Sequence, residues 1–149
     1  APVFPLRFRP KTRERIEEIL HEVSLSDRGD EIASNLSVLD RKRLMFASAL
    51  SSEPKLLLLD EPVGGLNPQE MASMGSLVLA ATKRGITVIL IEHVMRFMVQ
   101  LATRILIMHH GEEIFIGSPK DLPQDKKVAE VYLGEKATKG LAKYLESRP

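Results

Sequence analysis

Four consecutive leucines, Leu56–Leu59, run straight into Asp60, Glu61 and Pro62, and no other stretch constrains this chain as much. A short apolar run bounded by turn residues predicts a strand buried on both faces, as in a parallel sheet. Pro62 has no N–H to give to a ladder and stops the pairing. Two carboxylates at the C-terminal end of a buried strand are costly to desolvate unless a cation or a reaction requires them there. That end of an open parallel sheet is also where ligands bind. Asp60 and Glu61 are neighbours, so on a strand their side chains diverge and cannot form one chelate. They suit two separate roles, although a strand end with two acids next to a helix start is also an ordinary structural arrangement.

The remaining pattern alternates helices with apolar runs. Residues 1–10 read as an irregular lead-in. Ile16, Ile19, Leu20 and Val23 mark one face of a helix beginning near Thr12. Asp27–Asp30 is a turn into a short helical piece ending near Asn35. Ser37 followed by Asp40 predicts an N-cap for a helix reaching about Ser52. Asn67-Pro68-Gln69-Glu70 starts a second helix, with a cap, proline at the first helical position and an acid at the third; Gly85 ends it. Thr87–Ile91 is a β-branched run and predicts another buried strand. Val94–Ala102 reads as helical, and Arg104–Met108 and Glu113–Gly117 as strands of a hairpin turning at His110-Gly111. Ser118-Pro119-Lys120-Asp121 predicts a further helix start, followed by a short helix around Val128–Leu133 and a charged amphipathic stretch from Lys139 to Ser147. This order gives an α/β class with a parallel component. The expected divisions are a helical lobe over 1–52, an α/β portion over 53–135 and a charged helical tail over 136–149.

Composition removes several functions. Lys and Arg number 21 against 20 for Asp and Glu, which gives no basic field for nucleic acid. Aromatic residues are 5% of the chain, too few for a base-stacking platform. Cysteine is absent, which excludes disulfides and cysteine-ligated metal and fits a reducing cytosol. No run approaches the ~18 apolar residues of a membrane span. The chain begins with Ala1 rather than Met, which processing or truncation of a longer protein would both explain. Adjacent His109 and His110 are expected on opposite faces, unable to share an ion, and His21 on an exposed helix face.

Three segments in register carry a family likeness. Leu56–Glu61 resembles a Walker B element, Gly64-Gly65-Leu66-Asn67-Pro68-Gln69-Glu70 resembles a D-loop, and Ile89-Leu90-Ile91-Glu92-His93 resembles a switch-histidine strand. Their order and spacing resemble the ABC-type ATPases of the P-loop NTPase fold. The resemblance covers about Thr12 to Lys136 and corresponds to the C-terminal half of a complete domain. It implies that Asp60 holds the magnesium ion of a bound ATP and that Glu61 orients the attacking water. It further implies that His93 senses the γ-phosphate, and that Ser37, Leu66 and Asn67 approach nucleotide. From the residue alone, the ordinary reading of His93 is a satisfied core histidine; the family pattern of Ile91-Glu92-His93 favours the switch role.

Asn35–Leu44 lies where the family's signature motif, Leu-Ser-Gly-Gly-Gln, belongs. Ser37 matches, but Val38 and Leu39 stand in place of the glycines and Asp40 in place of the glutamine. A leucine cannot take positive φ cheaply and would crowd a phosphate. A Ser37–Asp40 capping box and a working signature therefore remain equal readings. No glycine in the chain is followed by lysine, so the pattern G-x-x-x-x-G-K-[ST] is absent.

Within the family the likeness is to ATP-binding subunits of branched-chain amino acid importers, through Glu53-Pro54-Lys55, Gly64–Pro68, Ile91–His93 and Val128–Glu135. The last element is also similar to the ATPase serving lipopolysaccharide export. The implied partners are a second ATPase subunit in a head-to-tail dimer and transmembrane permease subunits, on the inner face of the cell membrane. The other reading is a non-catalytic half-domain or interaction module. The family's sheet order implies that Thr87–Ile91 pairs with Leu56–Leu59 on one side and has an open edge on the other. Self-association through those strands, or rearrangement to close the gap, is then expected.

Overall fold

The computed structural model describes the backbone of residues 10–146 and the side chains of 11–131, 138 and 140–146. Of the expected irregular lead-in over residues 1–10, residues 1–9 lie outside them, and Pro10 is already helical. Contacts divide the chain into two units, one ending at Glu92 and the other beginning at His93.

The first unit opens with α1, Pro10–Glu22. Ile19 on its apolar face is buried, as is Val23 just beyond its end. Single 3₁₀ turns at Ser26–Arg28 and Ala33–Asn35 lead to α2, Val38–Leu50. Ser37 caps α2, its hydroxyl accepting from the Asp40 amide at 3.1 Å. β1 is Leu56–Asp60, α3 is Pro68–Lys83 and β2 is Thr87–Ile91. The predicted capping box starts α3: Asn67 Oδ1 accepts from the Gln69 and Glu70 amides, and Glu70 accepts from the Asn67 amide. Arg84 and the left-handed Gly85 end it.

β1 and β2 form a parallel pair in the register Leu56↔Thr87 through Asp60↔Ile91. The expected pairing of these two strands is therefore present, and among the described residues no further strand joins them. Burial on both faces is not observed. Leu57 is 5% exposed, whereas Leu56, Leu58, Ile89 and Ile91 are 49%, 67%, 51% and 62% exposed. Alternation puts those four on one face of the pair. The run of leucines is the pattern of a strand covered twice, and the first unit covers it once.

The expected helical lobe over 1–52 belongs with the residues after it in one contact unit. Phe46, Ala47 and Leu50 of α2 are buried, and two basic residues of that helix bond to the segments that follow β1.

The second unit contains α4 (Met95–Leu101), β3 (Ile105–His109), β4 (Glu112–Gly117), a short α5 (Lys126–Val128), a π turn (Ala129–Leu133) and α6 (Gly134–Glu146). β3 and β4 make the predicted antiparallel hairpin, with a register shift between Ile107 and Met108. Its turn residues His110 and Gly111 have φ of 48° and 82°, the paired positive values that match a hairpin's twist. This left-handed turn also brings the His109 and His110 rings edge to face at 4.1 Å, rather than onto opposite faces as strand alternation predicts.

The helix expected from Ser118 is not formed. Asp121 accepts from the Ser118 amide and hydroxyl, the reciprocal half of a capping box, but only a 3₁₀ turn at Leu122–Gln124 follows. Pro123, four residues after Pro119, has no N–H to extend a helix. Val99, Ile105, Ile107, Phe115, Leu122, Val128 and Leu141 form the core of this unit, with Tyr144 and Leu145 packed against it. The charged tail is thus bound into the unit through its apolar stripe.

Candidate functional site

The residues singled out in the first unit gather at the C-terminal end of β1 and the loop that follows. Asp60 ends the strand and is exposed on the same face as Leu56 and Leu58. Glu61 follows in a left-handed conformation, φ 45°. Its amide continues the ladder by donating to the Ile91 carbonyl at 2.9 Å, and its carbonyl accepts from the Gly64 amide at 3.2 Å. Both acids are exposed, so the desolvation cost that the sequence implied is not incurred within this unit.

The loop from Pro62 to Asn67 is held from below. Val63 is fully buried, and its amide donates to Glu92 Oε1 at 3.1 Å. Glu92 thereby ties the end of β2 to the loop, a role that its position beside His93 did not reveal. Leu66 is 6% exposed and its amide donates to the Val63 carbonyl, so its side chain serves the core. Asn67 is committed to the capping box of α3.

Ser37 is exposed at the start of α2 and donates its hydroxyl to Asp40 Oδ2 at 2.9 Å. Asp40 also accepts from Arg43 at 3.1 Å, and Arg43 reaches across to the Ser73 hydroxyl at 2.8 Å. Both ionic partners are largely shielded from solvent. The negative charge at position 40 is therefore neutralised inside the helix rather than aimed outward. Lys42 donates to the Glu61 carbonyl at 3.0 Å. A contact across 19 residues leaves no trace in a sequence pattern.

His93 is the first residue of the second unit, exposed in the bend between β2 and α4. That exposure removes the reading of a core histidine. Among the described residues, no cluster of three or more His, Asp or Glu side chains is arranged to hold a metal ion by itself.

A profile of the ABC transporter family matches residues 5–64. The lipopolysaccharide export ATP-binding protein LptB of Haemophilus influenzae is 32% identical over 123 residues, covering 83% of this chain and 51% of the relative. BraF, a high-affinity branched-chain amino acid transport ATP-binding protein of Pseudomonas aeruginosa, is 32% identical over 132 residues, 86% of this chain and 52% of the relative. In three dimensions the chain superposes on the ADP conformation of MJ1267, an ATP-binding cassette of an ABC transporter, with a TM-score of 0.78 and 29% identity. That match covers 88% of this chain and 53% of the other.

The chain belongs to the ABC transporter ATP-binding family. It spans about half the length of the curated relatives that it matches. The fold is accordingly that of part of an ABC cassette, within the P-loop NTPase class. These relatives are named for lipopolysaccharide export and for branched-chain amino acid transport, so family membership does not decide a cargo. No helix among the described residues is long and apolar enough to cross a membrane.

Proposed function

We propose that this chain supplies the hydrolytic half of an ABC transport ATPase: the acids at the end of β1, the loop behind them and the histidine after β2. The observation that carries this reading is the Glu61 turn. An acid held in an unfavourable left-handed conformation, anchored at its amide by β2 and at its carbonyl by two donors, costs about 1–3 kcal/mol of strain. Strain of that kind gathers where a side-chain direction matters for function.

The donor set fits one side of a magnesium nucleotide. Asp60 offers an exposed carboxylate to the cation, and Glu61 diverges from it to accept a hydrogen bond from the attacking water. Bound Mg²⁺ with ATP would supply the phosphoryl group and neutralise its developing charge. His93 would contact the γ-phosphate. Ser37 and Asn67, with the backbone of Leu66, would lie towards the nucleotide of a second subunit in a head-to-tail dimer. Transmembrane permease subunits would receive the motion, with the ATPase peripheral on the cytoplasmic face. Among cargoes, a branched-chain amino acid is supported by the likeness to BraF and lipopolysaccharide by the likeness to LptB; we favour the former on the residues Gly64–Pro68 and Ile91–His93.

A second reading, a non-catalytic module of the same fold, is favoured by the commitment of the Ser37 hydroxyl to Asp40 and by Val38 and Leu39 in place of glycines. Calorimetric titration of the 149-residue chain with Mg-ATP tests the proposal. The phosphate-cradling amides and lysine of a P-loop are not in this sequence. The chain alone should therefore show no saturable binding below about 1 mM, a weak-binding threshold of about 4 kcal/mol. A micromolar dissociation constant with magnesium-dependent turnover would make the chain a self-sufficient enzyme and overturn the division.

A further inference from the structure

We propose that Lys42 is a positioning residue for Glu61, locking α2 and the acid into one fixed relation. The inference rests on the reading of Glu61 as the group that orients the attacking water.

The geometry runs through one peptide group. Lys42 Nζ donates to the Glu61 carbonyl at 3.0 Å, and the Gly64 amide donates to the same oxygen at 3.2 Å. A Cβ built on Gly64 would lie 3.6 Å from that oxygen and 4.0 Å from Lys42 Nζ, so the ammonium sits over the turn. Val38 stands one helical turn before Lys42, on the same face of α2. Its Cγ1 lies 3.9 Å from where a Cβ of Gly65 would be. The Val38/Lys42 face of α2 thus meets the Glu61–Gly65 turn at two points, one apolar and one charged.

A φ near 45° crowds a Cβ against the backbone, a conformation that Glu61 shares with Ser24, Glu53 and His110. The Glu61 amide is fixed by Ile91 and its carbonyl by Lys42 and Gly64. With both ends held, the direction of the Cα–Cβ bond is set, and so is the arc that the carboxylate can sweep. A lysine is well matched to this position, because its ammonium is a compact donor on a flexible stem and a charged donor makes the stronger bond. The same helix carries Ser37 as its cap, and Arg43 braces it to Ser73 of α3. Any displacement of the α2 start is therefore coupled to the backbone that aims Glu61.

Nuclear magnetic resonance of the labelled 149-residue chain tests this without turnover. The intraresidue amide–Hα Overhauser effect of Glu61 reports positive φ, and amide exchange at Gly64 reports the turn. Lys42→Met should weaken the first and speed the second about tenfold, with the exchange of the α3 amides unchanged. Lys42→Arg, which keeps a charged donor, should restore both. Lys42→Gln supplies the same readouts if the methionine variant does not fold. Wild-type signals at Glu61 and Gly64 in a folded Lys42→Met or Lys42→Gln chain would overturn the proposal. So would loss spread evenly over the unit and not rescued by arginine. Whether Glu61 orients water is a separate measurement, Glu61→Gln in an ATP-hydrolysing cassette containing this chain. Its failure would leave the resonance result standing.

Discussion

Glu61 and Asp60 are adjacent, yet the chain treats them differently. Asp60 is the last member of the strand ladder and shares the face of Leu56 and Leu58, while Glu61 turns out of the sheet at φ 45°. Two substitutions separate their proposed roles in a cassette completed by a P-loop-bearing half. Glu61→Gln keeps the shape and removes the basic oxygen, so turnover should fall by about 10²-fold or more with nucleotide affinity retained. Asp60→Asn should instead weaken the magnesium dependence of binding. Equal loss of binding in both would show that the acids share one role. At the same scale, Asn67 accepts from two amides at the start of α3. Asn67→Ala should cost about 1 kcal/mol in urea denaturation of the chain.

Each strand of the first unit has one covered face and one open face. Leu57 is buried, and Met74, Val78 and Ala81 are buried on α3, which contacts β2. Leu58, next in sequence, is 67% exposed. Leu57→Ala should therefore destabilise the chain by about 2–5 kcal/mol, whereas Leu58→Ala should stay within about 0.5 kcal/mol. Comparable losses at both positions in equilibrium unfolding would mean that the second face is covered in solution. In the hairpin of the second unit, a Cβ on Gly117 would stand 2.8 Å from Phe115 Cζ, and Phe115 belongs to the core. That glycine is required by a ring, not by its backbone conformation.

For the whole chain, the open edge of β2 and the apolar face it shares with β1 are a template for pairing with another strand. Among the described residues β1 is the only strand that pairs with β2. We therefore expect the isolated chain to self-associate through this sheet. Sedimentation at low micromolar concentration should show a species heavier than 16.7 kDa, and Leu58→Lys with Ile91→Lys should return it to a monomer. A monomeric wild type with a concentration-independent melting point would dismiss this expectation.

Features that depend on neighbours along the chain could be read from the residues alone. The caps at Ser37 and Asn67, the hairpin turn at His110-Gly111, the two parallel strands and their acid and histidine termini were all legible, because each is set within a few residues. The family was legible too, through three short segments at fixed spacing. Which leucines are covered came from the fold, since an apolar run records the surroundings a strand is suited to and not those it has. The fold also supplied the bonds from Lys42 to Glu61 and from Val63 to Glu92, which join residues 19 and 29 positions apart. It also supplied the bonds that join Ser37, Asp40 and Arg43 at the start of α2 and carry Arg43 on to Ser73 of α3, a partner 30 positions away that no local pattern encodes.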